Sequence, residues 1–411
     1  MAADSLPRRG WRRTFWVVFG SNLISGVGLS SFLPFFPTLL EELGMQDAHA
    51  RAVWSGLLFG AAPLSAGFSG PLWGSIGDRY GRKLMVVRSL LGLALFVGPM
   101  AWAHSAWQLL GLRLMQGVFS GYMAPSLTLV SVSAPSERQG RVTGWIQTAS
   151  TVGTIAGPVL GAALLAAGGV GAVFAVTSLA SAVSAVLVWL LAVEDPSARA
   201  SPGPFSAGAV LRASWNDVRA SLANHSVRQA MVLYAGVHFA LGATSPQMEF
   251  FVEAVWRGEH ARVEGLTGTL FSCIAIAAIV ATPVWGRLGD RVGHALALRI
   301  AGALSALSLL LHAFVPTLFW LFTVRLCFGL ASPGASTAAF GLAATETERE
   351  QRGAAMGAVF SARCFAISAG SFLGGALTAA LGLRGLFVVA GAVVALGLVV
   401  GRGGVGRGAS G

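Results

Sequence analysis

A thirteen-residue segment occurs twice in this chain, 212 residues apart. Residues 71–83 read PLWGSIGDRYGRK and residues 283–295 read PVWGRLGDRVGHA. Seven positions are identical: Pro71/Pro283, Trp73/Trp285, Gly74/Gly286, Gly77/Gly289, Asp78/Asp290, Arg79/Arg291 and Gly81/Gly293. Each copy is a charged, glycine-rich turn set between long apolar runs, so the fold must place two like halves around two like turns. The matching continues past the turn. At the same offset Arg113 meets Arg325, Gly117 meets Gly329, Pro34 meets Pro246, Gly56 meets Gly268 and Phe59 meets Phe271. At an offset of 213, Gly140, Gly144, Gly157 and Gly161 meet Gly353, Gly357, Gly370 and Gly374. Chance similarity among glycine-rich helices does not hold one offset over so many positions.

The apolar runs fix the class. Of 411 residues, 55% are hydrophobic and 11% charged, against about 25% charged in soluble domains. Runs near the bilayer-spanning length of about 20 residues recur throughout. Twelve spans are predicted, over 14–42, 52–75, 84–103, 107–132, 142–166, 169–193, 229–256, 264–286, 295–315, 317–340, 353–382 and 385–401. They are read as helices, because an open sheet edge is not satisfied in lipid. The runs are also too long, and lack the alternation, for a barrel. Six spans separate the two turns, so both halves share one orientation, as in parallel-repeat transporters. The expected fold is an all-α membrane protein with 12 transmembrane helices in two pseudo-symmetric six-helix bundles. The expected domains are 1–193, a cytoplasmic linker at 194–228, and 229–411.

A net charge of +11 would suit a nucleic-acid partner, but topology accounts for it better. Arg113, Arg325 and Arg363 fall inside spans. Arg51, Arg257, Arg262 and Arg384 fall in loops on one side, and the remaining 21 of the 28 Lys and Arg, among them Arg8, Arg9, Arg12 and Arg13 and, within the first turns of their spans, Arg88 and Arg299, fall on the other. By the positive-inside rule the basic side, with both termini, is cytoplasmic. No nucleic-acid partner is expected; the partners are the lipid bilayer, a small-molecule substrate and protons, and the expected assembly is a monomer. The stretch after the N-terminal arginines runs to nearly 30 residues, too long for a signal peptide. The linker opens with small residues and Pro202 and Pro204, then carries WNDVRASLANHSVRQ, which suits an amphipathic helix on the membrane face. Cys273, Cys327 and Cys364 all fall in spans without metal-like spacing and read as packing residues. No metal site and no cofactor are expected, beyond a proton gradient.

Within the first turn, Gly74, Gly77 and Gly81 allow close backbone approach and unusual dihedrals. Asp78 is placed to accept hydrogen bonds from a helix N-terminus or an arginine. Arg79, Arg82 and Lys83 either join that network or mark the cytoplasmic side. The second copy keeps Gly286, Asp290, Arg291 and Gly293 but has His294 and Ala295 at its basic end. Arg113, several residues inside the fourth span, needs a partner or a wet cavity, since a guanidinium at a helix centre costs at least about 2.5–3.5 kcal/mol. Gln116 is one turn away. Gly153, Gly157 and Gly161 lie at a spacing of four, which lets a neighbouring helix approach, and Pro158 among them favours a bend. Glu249 is the plausible intramembrane acid, read either as a proton carrier or as an outer-leaflet residue reaching water. His238 is either a titrating group or structural.

These motifs carry a resemblance. GSIGDRYGRK at 74–83 resembles the loop 2–3 signature of the major facilitator superfamily, and LRLMQGVFSG at 112–121 its fourth-helix motif with a buried arginine. GTIAGPVLG at 153–161 and SFLPFFP at 31–37 resemble the fifth-helix and first-helix motifs of its twelve-helix drug/proton antiporters. WSGLLFG, PLWGSIGDRYGRKLMVVRS and the Arg363 region are most similar to the MdtG-type multidrug exporters, and the tetracycline exporters share the motifs more distantly. The second half carries weaker copies, so the resemblance covers the chain.

The resemblance implies a secondary transporter, not an enzyme, that exports lipophilic or amphipathic compounds in exchange for protons across the inner membrane by rocker-switch alternating access. It implies that Asp78 latches helices 2 and 11, that Arg113 takes part in proton coupling with Glu249 and His238 as further candidates, and that the fifth-helix motif forms an antiporter interface. Helices 1 and 7 line its cavity, so Asn22, Ser25, Phe35, Tyr234 and Gln247, with Gln116 and Arg325, are the substrate candidates. Related exporters often carry an acid in helix 1, where this chain has Asn22 and Ser25. The alternative is a sugar or organic-anion carrier of the same fold, with Arg113 and Arg325 binding an anion. An intramembrane enzyme would need HExxH, paired aspartates or a serine–histidine constellation in its spans, and none is present. A receptor would need a soluble domain larger than residues 194–228.

Overall fold

Apolar runs this long leave the backbone one way to satisfy its own polar groups, and helix is what forms. The computed structural model describes residues 10–135, 138–194, 206–259, 262–347 and 352–400, and among them no strand occurs. Each predicted span has a helical counterpart. Span 1 is α1 (Trp11–Ser31), a 3-10 turn at Leu33–Phe35 and α2 (Phe36–Glu42). Span 2 is α3 (Ala48–Tyr80), and span 3 is α4 (Arg82–Val97) with a 3-10 turn at Gly98–Trp102. Span 4 is α5 (Ala106–Val118) and α6 (Met123–Ser133), and spans 5 and 6 share α7 (Gln139–Leu191). In the linker, α8 (Ala207–Ala223) covers the first part of the expected amphipathic helix, whose remainder from His225 on begins the next helix, with Asn224 as its N-cap. Span 7 is α9 (His225–Thr244), a 3-10 turn at Ser245–Gln247 and α10 (Met248–Val255). Spans 8, 9 and 10 are α11 (Val263–Val292), α12 (His294–Leu311) and α13 (Leu318–Thr345), and spans 11 and 12 share α14 (Arg352–Val400).

Among the described residues, eight helical stretches are long and apolar enough to cross a membrane. Two of them have 48 and 45 residues; at 1.5 Å per residue each would be about 70 Å long, more than twice the hydrocarbon core. Each therefore reverses. Gly169 has φ +70° and Gly382 φ +72°, equivalent positions in the two repeats, and both take a conformation that L side chains rarely adopt.

Three spans are not the single helices expected. Span 1 breaks where Pro34 and Pro37 remove backbone donors, and span 7 breaks at the equivalent Pro246. Span 4 breaks over residues 119–122, where Gly121 has φ +98°; the second repeat has Pro333 there and α13 runs through. The bend expected at Pro158 is not a break: within α7 only Gly168 and Gly169 leave helical dihedrals.

The chain divides into two compact units, Met1–Phe32 with Phe68–Val210, and Leu33–Gly67 with Leu211–Gly411. In the first, α1 packs on α7, and α4 on α5, α6 and α7, around Phe15, Val18, Val86, Leu90, Val130, Ile146 and Val188. In the second, α9 packs on α14 and α13 on α11 and α12, around Val237, Met248, Leu270, Leu309, Phe328 and Phe387. Large apolar side chains cover the outside. Trp102 and Trp107 are each 71% exposed and Phe314 78%; these sit at span ends, the place of an interfacial aromatic belt.

Candidate functional site

The repeated turn is built the same way twice. The chain passes from α3 to α4 through Gly81 (φ +110°) and from α11 to α12 through Gly293 (φ +86°). A Cβ on Gly77 would press on Met85 in the next helix, and one on Gly289 on His294. The Trp73 indole N–H donates to the Val118 carbonyl at 2.6 Å, and the Trp285 indole N–H to the Leu330 carbonyl at 2.7 Å. Donor and acceptor both shift by 212, so one hydrogen bond is made twice.

The basic ends of the turns differ. At the first, Glu194 caps α4: it accepts from the Arg82 amide at 2.6 Å and the Lys83 amide at 3.3 Å, two donors left over at a helix start. Lys83 lies over the Trp189 ring at 5.5 Å. At the second, His294 Nε2 lies 4.0 Å from the Asp290 carboxylate. The side chains of Asp78 and Arg79 lie outside the described residues, and their latch role stays a proposal.

Glycine faces bring helices together within each unit. A Cβ on Gly153 or Gly161 would collide with the Leu23 or Ser31 carbonyl oxygen of α1, and one on Gly157 with Ser30. In the second unit, a Cβ on Gly370 or Gly374 would collide with Phe239 or Ala243 of α9. Ser371, which replaces Pro158, donates its hydroxyl to the Gly242 carbonyl at 3.0 Å. The first repeat loses a donor at this position and the second gains a cross-helix bond.

The two span-4 and span-10 arginines are both buried, at 2% and 1% exposure, but only one is locally satisfied. Arg113 donates to Gln116 and sits 5.5 Å from the Phe32 ring centroid. The residue equivalent to Gln116 is Phe328. Arg325 accordingly lies over two rings, Phe328 at 5.7 Å and Phe387 at 5.8 Å, and none of its three guanidinium nitrogens has a hydrogen-bond partner among the described residues. A cation–π contact supplies about 0.5–2 kcal/mol, less than the several kcal/mol of burying the ion.

Glu249 sits at the end of the second unit farthest from the Gly293 turn. Thr38 donates its hydroxyl to Glu249 Oε1 at 2.6 Å, while Oε2 is buried with no partner among the described residues. This ties α2 to α10 inside one unit. Glu249 borders a cavity of about 190 Å³ with Thr38, Glu41, Glu42, Arg51, Glu253 and Glu264; Arg51 pairs with Glu41. Gln247, fully buried, donates to the Ala52 carbonyl at 2.9 Å, and Ser368 donates to the Gly60 carbonyl at 2.9 Å. The C-terminal part of span 1 and the N-terminal part of span 2 are thus bonded to spans 7 and 11.

Chain and structural comparisons follow the same outline. The family model for the Major Facilitator Superfamily matches residues 18–257 and 238–403. The chain belongs to the major facilitator superfamily. It is 29% identical over 385 residues to the Multidrug resistance protein MdtG of Salmonella typhimurium, covering 93% of each chain, and 28% identical to that of Dickeya zeae, covering 93% and 92%. Among solved structures it resembles the human organic anion transporter MFSD10 with a TM-score of 0.72 and 19% identity, over 95% of this chain and 99% of that one. It resembles the nucleoside transporter NupG with a TM-score of 0.76 and 13% identity, over 94% and 98%. As a member of the superfamily the chain is a multi-pass membrane transporter of small molecules, not an enzyme.

For a superfamily member, the predicted site residues fall into separate groups. Arg113, Gln116, Asn22 and Ser25 lie in the first unit. Asn22 donates to the Val18 carbonyl at 2.8 Å, and its Oδ1 and the Ser25 hydroxyl are buried without partners among the described residues. Glu249, His238, Tyr234, Gln247, Phe35 and Arg325 lie in the second. His238 donates from Nδ1 to the Tyr234 carbonyl at 3.0 Å, with the two rings 4.2 Å apart, edge to face, and it lies about three turns along the span from Glu249. Within the second unit, Glu249 and His238 are therefore not in direct contact. Sequence reasoning missed Thr38, whose only signal was its place beside Pro37, and Glu194, which it assigned to the linker.

Proposed function

We propose that this transporter exports lipophilic or amphipathic drugs, or toxic metabolites, across the inner membrane in exchange for protons. The turn end and both termini face the cytoplasm, as the arginine bias supports. Six-span bundles at 1–193 and 229–411, joined by the linker 194–228, rock about a central cavity lined from helices 1 and 7. Asp78 latches the cytoplasmic side, and the protein works as a monomer with no nucleic-acid partner.

The observation that carries the proton half is the Thr38–Glu249 bond with its sealed second oxygen. A neutral carboxyl is enclosed at far lower cost than a charged one. Closing the outer end over Glu249 therefore carries a proton inward, and drug binding from the cytoplasm reopens that end. The relatives named multidrug resistance proteins support the export half. The test is transport in inverted vesicles with an imposed pH gradient. Addition of lipophilic drugs should release protons from the vesicles. No response to any drug, alongside uptake of a sugar or an organic anion, would overturn the reading in favour of a metabolite carrier.

A further inference from the structure

The duplication makes Arg325 anomalous. Its counterpart Arg113 has an acceptor one turn on, Gln116; at Arg325 the repeat offers Phe328, a ring in place of an amide. The guanidinium is 1% exposed and has three nitrogens without an acceptor among the described residues. Beside it lies a second polar side chain of the same kind. His312 is fully buried and donates from Nδ1 to the Ser308 carbonyl at 2.7 Å, and its Nε2 has no partner. One ring joins them: His312 stacks parallel on Phe387 at 4.5 Å, and the Arg325 guanidinium lies 5.8 Å from the same ring. Phe251 packs on Phe387 at 5.3 Å. Every one of these residues belongs to the second unit.

We propose that Arg325, His312 and the Phe251, Phe328 and Phe387 rings form a binding site for a monoanion, of which a carboxylate on an apolar body is the best match. Five guanidinium donors in a planar fork match a carboxylate. One positive charge balances one negative charge. The rings exclude water and suit an aromatic or aliphatic body. A halide ion shares the charge and could come from solution rather than cargo, so the two sources need separate arms. The site does not depend on the proton-coupling reading.

The experiment is equilibrium binding to the full chain purified into lipid nanodiscs, with radiolabelled benzoate in one arm and radiolabelled chloride in the other. Saturable binding of either, weakened by about ten-fold or more in Arg325→Gln, the order of one charge-assisted hydrogen bond, supports the site. The arm that responds names the source. Phe328→Gln restores the first repeat's local acceptor and keeps the charge, so it should also weaken binding without loss of folded protein; this keeps the test open if Arg325→Gln does not fold. No binding of either anion to the native chain, or unchanged affinity in the folded variants, would overturn the proposal.

Discussion

At the scale of single residues, the repeat turns similarity into a quantitative expectation. Trp73 and Trp285 each donate one indole hydrogen bond to a carbonyl, at 2.6 and 2.7 Å. Trp73→Phe and Trp285→Phe should therefore each cost about 1 kcal/mol, by similar amounts, measured as thermal unfolding in detergent. Gly81→Ala and Gly293→Ala force a side chain into a glycine-only backbone region, at a cost of about 1–3 kcal/mol. The identities of these residues were legible in the sequence because both copies keep them. Their partners were not: nothing local marks Val118 or Leu330, which offer only a backbone carbonyl. Arg325 is the instructive case. Its position was found by adding 212, but its unsatisfied state follows from Phe328, and only the structure shows that no other described residue supplies an acceptor.

Helices differ in how much of their geometry a pattern can hold. Span existence follows from twenty-residue apolar runs, and the reversals fell at span ends, Gly169 being the first residue of one predicted span and Gly382 the last of another. Breaks inside spans were missed, because Pro34, Pro246 and Gly121 read equally as kinks within one helix. The glycine spacing of the fifth span does predict a close approach, and α7 allows a test within one helix. Gly161 has no room for a Cβ against the Ser31 carbonyl oxygen, while Gly144 is exposed with nothing within 4 Å. Gly144→Ala should stabilise by up to about 1 kcal/mol through helix propensity. Gly161→Ala gains the same propensity but must push α1 away, so overpacking of about 1–3 kcal/mol wins. Paired melting curves check the sign; equal shifts would refute the close α1–α7 contact.

For the whole molecule, the superfamily fold follows from repeat, runs and motifs, whereas coupling depends on contacts between residues far apart in the chain. Thr38 and Glu249 are separated by 211 residues, and no spacing rule joins a threonine to a glutamate across that distance. The central claim is that this contact ties proton movement to export. One-for-one exchange across a pH difference of one unit sustains about a ten-fold drug gradient. The deciding measurement is drug accumulation in proteoliposomes against such a difference, for the native chain and for Glu249→Gln. The native chain should approach the ten-fold gradient, and Glu249→Gln should only equilibrate the drug; a Glu249→Gln protein that still builds the full gradient would contradict the claim.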